Sequence, residues 1–239
     1  MSRIRTLSLF LCRELFRSLT GAIPPLLTLT FFGVTFYSFP FDADYLIAVG
    51  GLEMVLVCLV TTFLLAEKVN QAATYPLLLR LPRRSELLAA IAASSIAITI
   101  VLALLFVVAA LLRHGIRLTP WELLHLTSRW LVLFPFAATV TLHLSQLVSR
   151  HYSHLLAYFL LGTFLTVIDQ QRDLLRHNLD WLVQGTSILT YPVRTTLDGT
   201  TEMPITSYTL ALLLTVTYSA ALWALAAWLF RHKDLLWTE

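Results

Sequence analysis

Long apolar runs separated by short polar gaps set the pattern of the chain. Six such runs stand out: Gly21–Phe39, Leu46–Ala66, Leu87–Leu112, Trp130–Leu147, Leu155–Ile168 and Thr206–Phe230. A helix crossing the hydrocarbon of a bilayer needs about 20 apolar residues, so each run is expected to form a span. Leu155–Ile168 is the shortest and reaches spanning length only if its helix begins near Arg150. In hydrocarbon every backbone polar group needs an internal partner, which leaves helices or a closed barrel. Runs such as Ile96–Leu112 lack the alternation of a barrel strand, so helices are predicted.

The first twenty residues follow a different rule. On a helical wheel Ile4, Leu11, Cys12, Leu15, Phe16 and Leu19 share one side, and Arg3, Thr6, Arg13, Glu14 and Arg17 occupy the other. That pattern predicts an amphipathic helix lying in the membrane interface over 1–20. Arg13, Glu14 and Arg17 interrupt the apolar run and no small-residue cleavage site follows, so the segment is expected to persist in the mature protein.

Composition narrows the class. Of 239 residues, 57% are hydrophobic and 13% charged, against about 25% charged in an ordinary soluble domain. This length accommodates the spans with short connections as a single transmembrane domain over 1–239, leaving no room for a separate catalytic domain. Two cysteines, Cys12 and Cys58, exclude a disulfide scaffold or a multi-cysteine zinc module. The formal charge of +3 reads as topology rather than nucleic-acid affinity. With both termini cytoplasmic, the inner segments carry Arg3, Arg5, Arg13, Arg17, Lys68, Arg80, Arg83, Arg84, Arg150, Arg231 and Lys233, and the other basic residues, Arg129 among them, fall outside. The expected location is therefore the plasma (inner) membrane, multi-pass.

The segment Glu67–Glu86, EKVNQAATYPLLLRLPRRSE, is unusual for a simple connection between spans two and three. Glu67, Lys68, Asn70 and Gln71 end the lipid phase, yet Leu77, Leu78, Leu79 and Leu81 follow, and such a patch needs a surface to cover it. Pro76 suits the first turn of a short helix, Thr74 precedes Tyr75 as a cap, Pro82 permits a sharp turn, and Arg83 and Arg84 anchor the next span at the headgroups. A short transverse helix on the cytoplasmic side is predicted.

Here the chain resembles the permease subunits of ABC-2 type transporters, which have an interfacial elbow helix, six spans and a coupling helix between spans two and three. Leu77, Leu78, Pro82, Arg83, Arg84 and Ser85 match the end of that family's coupling loop, and Glu67 its opening; Phe230, Arg231, His232, Lys233, Asp234 and Leu235 are similar to its C-terminal ending. Ala72-Ala73 stands where glycine-threonine is common, and Tyr75 where a glutamate is common. The resemblance implies an all-α channel half without chemistry of its own, one of two permeases, homo- or heterodimeric, that export a substrate. It implies that Thr74, Tyr75, Pro76, Leu77, Leu78, Arg80, Pro82, Arg83 and Arg84 contact a separate nucleotide-binding ATPase subunit, where ATP and magnesium bind. The chain itself contains no G-x-x-x-x-G-K-[ST] loop.

Other residues carry two readings each. Glu53 is an acidic residue well inside a span, and such carboxylates face a protein interior or water; it lines the permeation path or binds a cationic group, or it is an interfacial carboxylate reached by water. His143, His151 and His154 surround the connection between spans four and five; without further ligands they read better as headgroup-facing than as a metal site. His114, His125, His177 and His232 are expected in loops or at ends. In the long outer segment 169–205, Asp173–Val183 has helical spacing, so short helices either rest on the outer leaflet or gate the exit. Trp121, Trp130, Trp181, Trp223, Trp228 and Trp237 fall mostly near span ends and read as an aromatic belt. Gly50-Gly51 and Ala89–Ala97 permit close helix packing, within the bundle or between permeases.

Rival functions are a haem-exporter-type permease of cytochrome c maturation, against which the short coupling loop argues, and a non-transporting membrane scaffold. An intramembrane enzyme lacks its nucleophile, metal or paired-carboxylate motifs. Proton-driven transport lacks the repeats and ionisable relays such carriers show.

Overall fold

The computed structural model describes residues 2–37, 42–69, 84–115, 117–145, 192–193, 196–197 and 204–232. Among these residues there are helices and no strands. Six helices carry the architecture: α1 (Ser2–Phe16), α2 (Leu19–Phe36), α3 (Ala43–Val69), α4 (Arg84–His114), α5 (Pro120–Leu144) and α6 (Ile205–His232). Five of them, α2 to α6, are long and apolar enough to cross a membrane. The protein therefore has the character of a multi-pass helical membrane protein. The run Leu155–Ile168, the outer Asp173–Val183 stretch, and His151, His154, His177, Trp181 and Trp237 lie outside the described residues.

The helix ends have local causes. Gly115 takes φ of +65° and its N–H bonds the Leu111 carbonyl at 2.9 Å, a left-handed stop that only glycine adopts without strain. Four residues later the Thr119 hydroxyl accepts from the Glu122 N–H while the Glu122 carboxylate accepts from the Thr119 N–H, with Pro120 at the first helical position. This reciprocal cap starts α5 ten residues before Trp130, where hydropathy alone begins the span. Arg129 and His125, expected outside the membrane segment or in a loop, consequently lie on α5 and are buried.

Two spans contain single π-helical turns, Phe32–Phe36 at the end of α2 and Leu46–Gly50 near the start of α3. In the first, the Tyr37 N–H reaches the Phe32 carbonyl at 2.9 Å. The extra residue in such a turn shifts the facing of all that follows, and π turns recur at functional positions.

Helix directions follow from which residues meet. Trp130 Nε1 donates to the Ile47 carbonyl at 3.1 Å and Cys58 Sγ to the Phe134 carbonyl at 3.5 Å, so α3 and α5 run the same way. His125 stacks on Tyr208, and His143 Nε2 donates to the Leu222 carbonyl at 2.7 Å, so α6 runs with them. Phe36 packs edge-on against both Tyr45 and Phe106, and Phe32 against Phe106. Thus α2 and α4 run opposite to the other three. His114 Nε2 donates to the Phe36 carbonyl, tying the ends of α2 and α4 together.

The core lies between α3, α4 and α5. In α3, 72% of the apolar window is buried, against 17% in α6 and 22% in α2; the latter two present Leu26, Leu29, Leu210 and Leu213 outward, as lipid-facing helices do. Gly50 and Gly51 bring α3 against the Trp130 ring. Helix α1 is amphipathic as predicted, but its buried face is Leu7, Leu11 and Leu15, while Phe16 and Leu19 are exposed. It packs along α4 and the end of α3.

Candidate functional site

Buried polar groups at one level of the α3–α5 interior form the candidate site. Glu53 sits ten residues into α3, about 15 Å from its start at 1.5 Å per residue. Only 6% of its surface is exposed. The Thr35 hydroxyl, inside the α2 π turn, donates to its Oε1 at 2.5 Å. Its other oxygen, Oε2, is buried and has no hydrogen-bond partner among the described residues. Its side chain is thus covered by protein, as a carboxylate facing a protein interior would be. A buried acceptor without a partner costs about 1–3 kcal/mol, more if charged, so the position is held by its surroundings and not by its own bonds.

A second group stands nearer the start of α5. Arg129 and His125, four residues apart, share one face of the helix. The Arg129 Nη2 donates to His125 Nδ1 at 3.2 Å, and the guanidinium lies over the Tyr208 ring at 5.5 Å. His125 is sandwiched between Tyr208 at 4.2 Å and Trp121 at 4.6 Å. Ser128 bonds the Tyr208 hydroxyl. Asp44, in the first turn of α3, acts electrostatically on both Arg129 and His125. Hydropathy hides this cluster because Arg129 itself lowers the local average; the signal that reveals it is Thr119-Pro120-Trp121-Glu122, a capping box with proline at N1.

Two further expectations are corrected. Trp130 is buried at 3% exposure and bonds α3, so it is a packing residue rather than a membrane-surface anchor, whereas Trp121 and Trp228 are exposed. His143 turns toward α6 and bonds the Leu222 carbonyl instead of facing headgroups. Among the described residues no three His, Cys, Asp or Glu side chains gather as a metal site would require.

Residues 192–193 and 196–197 reach into the same interior. Thr196 and Thr215 hydroxyls meet at 2.8 Å, and the Thr215 hydroxyl reaches the Pro192 carbonyl at 3.4 Å. The Leu197 side chain closes on Gly51, leaving 2.8 Å for an added Cβ. Thr215 is ten residues into α6, about 15 Å deep. Non-membrane-spanning backbone at that depth is tolerated only where protein or a cavity surrounds it.

Of the coupling segment, Thr74, Tyr75, Pro76, Leu77, Leu78, Arg80, Pro82 and Arg83 lie outside the described residues, and Arg84 opens α4. The helices flanking that segment are described. The Lys68 ammonium, in the last turn of α3, donates to the Glu14 carbonyl of α1 at 2.9 Å. Ser94 of α4 donates to the Ser8 carbonyl at 3.1 Å and Ser8 to the Ala90 carbonyl at 3.3 Å. Helix α1 thus spans the end of α3 and the beginning of α4. The chain matches no protein-family model, no curated protein and no solved structure.

Proposed function

We propose that the chain is the membrane-spanning permease half of an ATP-driven exporter of the ABC-2 type, working with a second permease and a separate nucleotide-binding ATPase subunit. The observation that carries this reading is the α1 clasp: one amphipathic helix is bonded to both helices that flank residues 70–83. A push on that segment would move α3, α4 and α1 as a body, which is how rigid-body switching transmits force. In this reading α1 lies in the cytoplasmic interface, both termini are cytoplasmic, and Thr74–Arg84 meets the ATPase.

Helix direction supports six spans. Since α5 and α6 run the same way, the chain between them must return across the length of the bundle, and Leu155–Ile168 is the apolar run available to do so. Glu53 and the threonines at 196 and 215 line the interior that the substrate crosses, and residues 192–193 and 196–197 close it toward the end where α3 and α5 begin.

The test is co-purification with a candidate nucleotide-binding ATPase subunit expressed together with the chain. A stable complex that loses its ATPase subunit when Leu77–Arg80 is replaced by a Gly-Ser stretch is the expected result. Failure of the intact chain to associate with any ATPase, together with unchanged function after that replacement, would overturn the reading.

A further inference from the structure

We propose that Glu53 and the aromatic rings that lead to it form a binding site for an organic cation, an ammonium group carried on an apolar body, and that this is the class of compound the protein transports. Glu53 Oε1 is taken by the Thr35 hydroxyl, whereas Oε2 is buried without a hydrogen-bond partner among the described residues. No basic side chain among those residues acts on the carboxylate. The basic groups of the neighbouring helices are turned elsewhere: Arg113 stands over the Tyr37 ring at 4.9 Å, His114 bonds the Phe36 carbonyl, and Arg129 faces His125 and Tyr208. An ionisable group at this depth calls for a partner, and a cationic ligand supplies one to the oxygen left over.

The surroundings select an organic cation over a metal ion. A hard metal ion takes six or more oxygens, and among the described residues no second acid joins Glu53 in a metal-binding group. Aromatic rings are present instead. Phe36 follows Thr35 in the α2 π turn, and Tyr45 lies close enough to Glu53 for the two to interact electrostatically. Ring centroids are 5.5 Å apart for Phe36 and Tyr45, 5.0 Å for Phe36 and Phe106, and 5.9 Å for Phe106 and Phe32. Ring faces attract ammonium groups, quaternary ones above all. Tyr45 and Phe32 are half-buried while Phe36 and Phe106 are buried, so the rings run from the edge of the bundle to its interior. The α3 π turn, Leu46–Gly50, falls between Tyr45 and Glu53. Eight residues of regular helix would set these two about 80° apart; the extra residue absorbed by the π turn brings them within about 20° of one face. Naming the transported class rests on the exporter reading, whereas the binding site does not.

Calorimetric titration of the detergent-solubilised full chain tests the site, with benzyltrimethylammonium, neutral benzyl alcohol and anionic benzenesulfonate as probes. The expected result is one benzyltrimethylammonium bound at least tenfold more tightly than either of the others. E53Q should bring the three within twofold, and Y45L should weaken the cation at least threefold. Should E53Q not fold by thermal unfolding, the wild type carries the test through dicyclohexylcarbodiimide: saturating benzyltrimethylammonium should slow modification of Glu53, read by peptide mass, at least fivefold, and benzenesulfonate should not. Equal binding of the three probes by the wild type, an unaltered cation preference in folded E53Q, or absence of that protection would overturn the proposal. The two readings separate cleanly. A chain that recruits an ATPase but shows no cation preference sinks the cation site and leaves the exporter standing; one that prefers the cation but recruits no ATPase keeps the site and removes the transported class.

Discussion

Gly51 sits where a methyl group has no room. An added Cβ would stand 2.7 Å from Trp130 Nε1 and 2.8 Å from Leu197 Cδ2, and the indole cannot retreat without losing its bond to the Ile47 carbonyl. Gly51→Ala is expected to destabilise the bundle by about 1–3 kcal/mol despite better helix propensity. Gly33→Ala, where nothing lies within 4 Å of the new atom, should be neutral or stabilising by up to about 1 kcal/mol. Chemical unfolding in mixed micelles reads both. Glu53→Gln keeps the acceptor for Thr35 and removes a buried carboxylate; stability should not fall, while substrate-stimulated ATPase activity of the proposed exporter complex should drop at least tenfold. A silent effect on activity would remove Glu53 from the pathway. Glu53 was visible in the sequence because a single acid in an apolar run stands out against its neighbours. His125 and Arg129 were not, because a buried arginine looks, to a hydropathy average, like the end of a span.

At the scale of the element, α1 is held by a few bonds made with its own backbone. Lys68 reaches the Glu14 carbonyl and Ser94 the Ser8 carbonyl, each worth about 1 kcal/mol. The double variant Lys68→Met, Ser94→Ala should therefore raise amide exchange across α1 about thirtyfold, for a loss of about 2 kcal/mol, with α3 and α5 unaffected. Equal loosening of all helices would show instead that α1 is integral to the core. Most helix bounds were legible from apolar length: α3, α4 and α6 extend the expected runs by only a few residues at either end. The π turns were not, since nothing in Phe32–Phe36 or Leu46–Gly50 distinguishes an i−5 from an i−4 bond until neighbouring helices choose. The face of α1 was legible in part: Leu11 and Leu15 are buried as expected, but Phe16 is exposed and Leu19 falls beyond the helix, at the start of α2.

For the whole molecule, the two free cysteines report on arrangement without any engineered probe. Cys58 is fully buried between helices, whereas Cys12 on α1 is partly exposed. With α1 on the cytoplasmic side, as proposed, a membrane-impermeant maleimide should label Cys12 in inside-out vesicles and not in right-side-out ones, and Cys58 in neither until the protein is denatured. Labelling of Cys12 from the outer face would overturn the proposed orientation. Helix directions, which pair α3 with α5 and α5 with α6 in parallel, were beyond the sequence because they depend on which side chains meet. That parallel pairing has a consequence for biosynthesis. Parallel neighbours cannot be consecutive in a chain that crosses the bilayer back and forth, so α3 enters the membrane before its main partner exists. At 5–20 residues per second, the stretch from Val69 to Pro120 imposes a delay of roughly 3–10 s. During that interval Gly50 and Gly51 present a bare notch to lipid, and α2 to α4 form an unfinished bundle. A chain ending at Gly115 should insert yet be digested by protease under conditions in which the full chain survives. Arrival of Trp130 in that notch is then the commitment step of assembly, and the interval before it is when a membrane quality-control protease has its opportunity.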